Sequence, residues 1–256
     1  MVTICQPNAF RPLRNPYTMK NASSLELIAP GLAARRSLIA GIGLVVIGMQ
    51  MFIIQPGFVA LFVSDLGFDE VAAGYIASAE MFGIATATIF AASIGSRYSW
   101  RRIGSVAALL LALANAASAV VPGELLLMTC RAIAGFGSGL LISLGYALVG
   151  QATDKDQAFG YTITAVLLYG AVAILFLPSA SSLLGTFGLF LSLASASLLF
   201  FVVAPFIPEA AGTNTATCPP AEHTTIDPAA FAALCSVVIF FLAQGIVWAY
   251  LGLIGL

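Results

Sequence analysis

Two charged side chains lie inside long apolar segments of this 256-residue chain. Arg131 lies within the run from Leu125 to Gly150, and Glu80 lies within a similar run that begins at Val71. A charge is costly in hydrocarbon, so charged residues of such segments face a protein interior or a water-filled cavity, where they pair with each other, bind substrates or transfer protons. Glu80 and Arg131 are therefore the first candidates for function.

The two charges are predicted to lie at a similar depth. Glu80 lies ten residues beyond Glu70, and Arg131 lies seven residues beyond Glu124, where Glu70 and Glu124 precede the two runs on the same side. At about 1.5 Å per residue the depths agree to within about one helical turn. We predict that Glu80 and Arg131 interact, directly or through water or substrate; two charges that are satisfied separately remain the alternative.

Small and polar residues surround Arg131 in the sequence. At about 100° per residue, Gly135 and Ser138 point in the same direction as Arg131, which favours a polar cavity lining with Ser138 as a candidate substrate contact. The alternative for the glycines is close helix packing, to which Gly135, Gly137 and Gly139 are assigned.

The first apolar run contains two glutamines beside a helix-kinking pair. Gln50 and Gln55 precede or adjoin Pro56, which frees backbone carbonyls when it lies within a helix. Interrupted helices of this kind often border a substrate site, so both glutamines are candidate substrate or coupling residues. A proline kink without any ligand contact explains the pattern equally well.

Composition identifies the solvent of these segments. Hydrophobic residues make up 60% of the chain and charged residues only 8%, against about 25% in a typical soluble domain. The chain is therefore predicted to be an all-α, multi-pass integral membrane protein, since each apolar run is close to the ~20 residues that cross a bilayer as a helix. We predict seven spans, at residues 37–63, 71–92, 103–121, 125–149, 159–178, 186–207 and 229–255.

Charge distribution predicts the orientation. Arginines and lysines precede the first span and lie between spans two and three and between spans four and five, whereas the opposite loops contain acidic residues without Lys or Arg. This asymmetry places the basic side and the amino terminus in the cytoplasm, and we expect a plasma membrane, such as the bacterial inner membrane.

Other function classes lack candidate residues. His223 is the single histidine, the four cysteines show no CxxC spacing, and no cluster suggests nucleophilic catalysis or a metal, so we expect neither an enzyme nor a cofactor. No basic patch suggests nucleic acid as a partner. A seven-helix receptor is suggested only by the number of spans and conflicts with the predicted orientation.

Two segments contain arginines and glycines at the spacing of known motifs. The fourth span resembles l-x-x-x-R-x-x-q-G-x-g, through Leu127, Arg131, Gly135 and Gly137. The loop between spans two and three resembles G-x-L-a-D-R-x-G-R-[RK], with Ser96 in place of the acidic residue and with Arg97, Arg101 and then Arg102 as its basic residues. Through these two motifs the chain resembles the major facilitator superfamily.

The resemblance implies an architecture. Residues 1–36 would form a cytoplasmic tail, and residues 37–207 a six-helix bundle of two inverted three-helix repeats. Residues 208–228 would form a cytoplasmic loop, and residues 229–256 the first helix of a second half. The family has twelve such helices, so the chain is expected to be a fragment whose partner is a missing carboxyl-terminal half or a second copy.

The resemblance also implies a function. Family members move a small molecule across the lipid bilayer by rocking two halves around a central site, and protons are a candidate driving ion. Glu80 is the single acidic residue within the first six spans and is the candidate proton carrier. The alternative is a half-transporter or truncated product that does not transport.

Overall fold

The computed structural model describes residues 24–95 and 98–208 and seven separate positions between 232 and 247, with side chains from residue 34 onward. The described ranges up to 208 are helical apart from short connections. The elements are α1 (Ser24–Ser64), α2 (Glu70–Ile94), α3 (Trp100–Ser118), α4 (Glu124–Val149), α5 (Lys155–Leu198), α6 (Phe200–Val203) and a 3₁₀ helix (Ala204–Phe206).

Aspartate caps begin two of the helices. The side chain of Asp69 accepts a hydrogen bond from the Ala72 amide at the start of α2, and Asp154 does the same for the Gln157 amide at the start of α5. Each cap satisfies an amide that has no partner within its helix, so the sequence determines locally where these two helices begin.

The chain reverses direction within α5, at Gly185. Gly185 has φ +64° and ψ 176°, a backbone conformation that is almost confined to glycine. Gln50 contacts α5 on both sides of this point, since its carbonyl accepts from the Tyr169 hydroxyl and its side chain donates to Ser197 Oγ. A straight helix would hold residues 169 and 197 about 40 Å apart. We therefore divide α5 into a first limb, residues 155–184, and a second limb, residues 186–206, which includes α6 and the 3₁₀ helix.

Within the described residues, four helices are long and apolar enough to cross a membrane. They are Ala34–Ser64, Glu70–Ile94, Glu124–Val149 and the double-length run Lys155–Phe206. This confirms the prediction of a helical protein with several membrane-length helices. The predicted third span corresponds to α3, which is not among these four, and the number of spans stays a prediction.

The fourth helix is the centre of the bundle. α4 packs against α1, α2 and α3. About two thirds of the residues in its most apolar stretch are buried, a larger share than in the other three membrane-length helices. Large apolar side chains on the outside remain exposed, such as Phe82 and Ile89 of α2 and Leu175 of α5. An apolar exterior, with the buried charged and polar side chains kept inside the bundle, is the arrangement that a lipid solvent favours.

Helix α1 begins earlier than the predicted first span. It starts at Ser24, so residues 24–36 of the predicted tail are helical, while their cytoplasmic location stays a prediction. Hydropathy marks where a helix enters hydrocarbon and not where it begins, because Ala, Leu and Arg continue a helix into the aqueous phase. The membrane-length part begins at Ala34.

The predicted carboxyl-terminal segments lie largely outside the described residues. This holds for the loop over 208–228 beyond Pro208 and for most of the seventh span. The seven positions described within that span are helical: Ala232, Cys235, Ser236, Ile239, Ala243, Gly245 and Val247.

Gly185→Ala is expected to destabilise the protein by about 1 to 3 kcal/mol, because a Cβ atom is strained at this φ and ψ. Gly160→Ala is the matched control, since a Cβ at this helical position of the first limb meets nothing within 4 Å. Thermal unfolding of both variants in detergent measures the difference. Equal midpoints for the two variants would contradict the importance of the Gly185 conformation.

Candidate functional site

Arg131 lies at the centre of the bundle with no exposed surface. Both of its terminal nitrogens donate to Asn115 Oδ1 of α3, Nη1 at 3.0 Å and Nη2 at 2.9 Å. Its Nε lies 3.5 Å from Glu80 Oε2 of α2, and its Cζ lies 5.5 Å from the centre of the Phe190 ring. Partners from three different elements thus surround one guanidinium group.

Helix direction explains this meeting. Side chains of an α-helix lean toward its amino terminus, so Arg131 reaches from its place in α4 back toward Glu124. Helix α3 ends at Ser118, shortly before α4 begins, so Asn115 lies at the same end of the bundle. The side chains of Asn115 and Arg131 therefore meet, although Arg131 lies farther from this end of the bundle than Asn115 does.

The ion pair leaves hydrogen-bonding capacity unused. Among the described residues, Glu80 Oε1 and Arg131 Nε have no hydrogen-bond partner, and both atoms are buried. The 3.5 Å separation of Nε and Oε2 is an ionic contact that lacks hydrogen-bond geometry. Buried polar atoms without a partner are rare and costly, so these two atoms require an explanation.

Two further polar residues, Gln50 and Ser197, extend this arrangement to α1 and α5. Gln50 Nε2 donates to Ser197 Oγ at 2.8 Å and to the Leu193 carbonyl at 3.1 Å. Asn115 Nδ2 donates to the same Ser197 Oγ at 3.5 Å. We call this set the polar cluster: Gln50, Glu80, Asn115, Arg131 and Ser197, each at most 2% exposed.

The other two polar candidates lie outside the polar cluster and bind backbone carbonyls. Gln55 Nε2 donates to the Ala77 carbonyl of α2, and Ser138 Oγ donates to the Gly48 carbonyl of α1. Helix α1 runs through Pro56 without interruption. The structure therefore brings Gln50, Glu80 and Arg131 together and places Gln55 and Ser138 at separate helix contacts.

The candidate glycines lie where α4 meets its neighbours. A Cβ at Gly135 would overlap the backbone oxygen of Glu80, and a Cβ at Gly139 would lie 2.6 Å from the Ile84 oxygen of α2. At Gly137 it would lie 2.8 Å from the Ala107 oxygen of α3. Gly135 thus allows the backbone that carries Glu80 to approach the helix that carries Arg131.

The basic loop residues lie at the opposite end from Asn115. Arg101 Nε donates to the Ile207 carbonyl at 2.7 Å and its Nη2 to the Pro205 carbonyl at 2.9 Å, so it binds the end of the second limb. Arg36 lies over the Phe206 ring at 5.9 Å. Arg102 is exposed, and Ser96 and Arg97 lie outside the described residues.

A cavity of about 190 Å³ borders the polar cluster between α1 and α5. Its lining is mostly apolar and includes Phe58, Tyr169 and Leu193. The Tyr169 hydroxyl and the Leu193 carbonyl both bind Gln50. The cavity therefore approaches the polar cluster from the α5 side.

Sequence reasoning did not identify Asn115, Ser197 or Tyr169. An asparagine within an apolar third span was the available signal, because an amide in hydrocarbon requires a partner. Ser197 offered less signal, since a serine can bond to its own helix, as Ser197 does to the Leu193 carbonyl.

We expect Glu80→Gln and Arg131→Leu to show strong coupling. Either change removes one partner of a buried ion pair and should destabilise the protein by about 3 kcal/mol or more, because the other charge stays buried. The double variant should lose less than the sum, which thermal unfolding in a double-mutant cycle measures. Strict additivity would contradict an energetic interaction.

Gly135→Ala should also destabilise the protein, by about 1 to 3 kcal/mol, because a Cβ forces α4 away from the Glu80 backbone. Gly160→Ala again serves as the control with open space. Thermal unfolding in detergent provides the comparison. If Gly135→Ala were as stable as this control, the close approach of α4 to the Glu80 backbone would not contribute to stability.

The comparison with known families identifies the chain. The sequence profile of the Major Facilitator Superfamily matches residues 40–256, which is most of the chain. No curated protein matches it. The matched range includes all five residues of the polar cluster, three of the four described membrane-length helices in full, and the first one from residue 40 onward. The chain therefore belongs to the major facilitator superfamily, whose members transport small molecules across membranes.

Proposed function

We propose that this protein carries out secondary active transport of a small molecule by alternating access, with Glu80 as the group that takes up and releases the coupling proton. Family membership supports small-molecule transport. The proton role rests on one observation, which is the incompletely bonded carboxylate of Glu80 inside the bundle.

The environment of Glu80 favours a change of protonation state. Full burial penalises the charged carboxylate, while the nearby guanidinium of Arg131 stabilises it. Because Oε1 has no partner among the described residues, the carboxylate lacks the several hydrogen bonds that would hold it permanently ionised. Proton uptake at this oxygen would therefore break no hydrogen bond present in the structure.

Arg131 would convert protonation into a conformational change. With Glu80 ionised, the two opposite charges compensate each other at 3.5 Å. With Glu80 protonated, the guanidinium keeps only the neutral Asn115 and the Phe190 ring as described contacts. An uncompensated buried charge is costly, so protonation would shift the equilibrium toward a state in which Arg131 gains water or an anionic group.

We assign the remaining candidates to positioning and not to substrate contact. Gln50, Gln55 and Ser138 are at most 4% exposed, and their described hydrogen bonds link one helix to another. A substrate would reach them only after these helices separate. As long as these helix contacts persist, the substrate path would lie on another face of the bundle.

For the architecture we propose the six-helix half over 37–207, as two inverted three-helix repeats, with a cytoplasmic amino terminus in a plasma membrane. The reversal at Gly185 supports this division, because the two limbs of α5 then supply spans five and six. A second bundle, either a carboxyl-terminal half or another copy, would complete the path.

Transport in proteoliposomes tests the proton role. Solute-induced proton movement is followed with an entrapped pH-sensitive dye, and a panel of organic anions, lipophilic cations and sugars is supplied from outside. We expect at least one solute class to move protons with the wild-type chain, and we expect Glu80→Gln to abolish this movement, because an amide cannot carry the proton.

Glu70→Gln is the matched control. It makes the same chemical change on the same helix, at an exposed position in the first turn of α2, and should keep wild-type proton movement. Unchanged proton movement in Glu80→Gln would remove Glu80 from the mechanism. A wild-type chain that moves no solute of the panel would favour the non-transporting alternative.

A further inference from the structure

The contacts of Arg131 are distributed unequally between its two polar partners. A guanidinium and a carboxylate frequently form two parallel hydrogen bonds when they meet in a protein. Here both terminal nitrogens donate to the amide oxygen of Asn115, within 3.0 Å, and Glu80 keeps only the Nε edge at 3.5 Å. A neutral residue thus accepts from both terminal nitrogens of the buried cation.

We propose that Asn115 is a positioning residue for the coupling reaction: it holds the Arg131 guanidinium away from a two-bonded pair with Glu80 and so keeps the carboxylate able to take up a proton. The proposal rests on the proton role proposed above. Its structural part, the competition of Asn115 and Glu80 for Arg131, can be tested independently of transport.

Asn115 is itself held in the orientation that this role requires. Arginine has donors only, so the amide oxygen of Asn115 must face Arg131 and its Nδ2 must face away. Nδ2 donates to Ser197 Oγ, which also accepts from Gln50 Nε2 at 2.8 Å. Ser197 of the second limb, which is itself bonded to Gln50 of α1, therefore holds the amide group of Asn115 in place. A rotation of this carboxamide would lose the hydrogen bonds to Ser197 and to Arg131.

The surroundings of Glu80 offer no other described charge that could take the place of Arg131. Helix α1 contributes the neutral Gln55, whose amide donates to Ala77 one turn from Glu80, and α3 contributes the neutral Asn115. The second limb contributes the Phe190 ring over the guanidinium. On α2 itself the other described acidic residue is Glu70, ten residues away at the exposed start of the helix.

A thermal unfolding cycle on the 256-residue chain in detergent tests the competition. In Asn115→Leu, Glu80 is the remaining polar partner of Arg131, so the pair should tighten. Glu80→Gln should then lower the unfolding midpoint by more degrees in the Asn115→Leu background than in the wild-type background. An equal or smaller loss overturns the inference.

Asn115→Asp provides the opposite case and decides the question if Asn115→Leu does not fold. An aspartate would accept from both terminal nitrogens of Arg131 and add its own negative charge, so the guanidinium would no longer need the charge of Glu80. Glu80→Gln should then lower the unfolding midpoint by fewer degrees than in the wild-type background, or should raise it. A loss as large as in the wild type contradicts the proposal.

Ser118→Ala is the matched control on the same helix. Ser118 is buried, and its hydroxyl donates to the Ala114 carbonyl of α3 and not to Arg131. The cost of Glu80→Gln should therefore be the same in the Ser118→Ala background as in the wild-type background. A change in that cost would mean that any polar loss from α3 alters the pair, which overturns a specific role of Asn115.

The pH profile of proton movement, measured in the proteoliposome assay with the active solute of the panel, separates positioning from a purely structural role. Asn115→Leu should move the profile to lower pH, because the tighter pair holds Glu80 ionised, and Ser118→Ala should leave it in place. The unfolding cycle could match the expectation while the pH profile of Asn115→Leu stays at the wild-type position. That result would contradict the proton role of Glu80 but would still support the competition of Asn115 and Glu80 for Arg131. Failure of the unfolding cycle would overturn the competition whatever the profile.

Discussion

The guanidinium group of Arg131 can lie at the centre of an apolar bundle only because its partners come from other helices. Hydrocarbon offers no water to a buried charge, so every donor that the protein does not satisfy is costly. Asn115 from α3, Glu80 from α2 and Phe190 from α5 contact this one group. Arg131 therefore connects α4 with α2, α3 and α5, and Ser197 and Gln50 extend these polar contacts to α1.

Close helix approach is the second requirement of this arrangement. The side chains of Glu80 and Arg131 reach each other only if their backbones are near, and Gly135 provides the space by facing the Glu80 carbonyl without a Cβ. Packing and chemistry are thus linked at the same turn of α4. A residue that looks like part of a packing seam also determines whether the charges meet.

Much of the fold follows from the sequence alone. The apolar runs predict the helices to within a few residues for α2 and α4, because hydrocarbon thickness and helical rise together limit their length. The start of α1 at Ser24 did not follow, since hydropathy carries no information on helix outside the bilayer. The site was partly predictable. The charges of Glu80 and Arg131 within apolar runs marked them as candidates, and their similar depth predicted their interaction. Asn115 and Ser197 carry no charge and gave a weaker signal.

By itself, the sequence determined the solvent, the helical class, the family and the two charges that need an explanation, because each depends on composition, period or local motif. Only the tertiary structure decided how the charges are satisfied. Which donor of Arg131 meets Asn115, and which oxygen of Glu80 is left without a partner, depends on the rotation of α2, α3 and α4 about their axes. That rotation results from packing across the bundle, between residues far apart in the chain, and no local pattern encodes it.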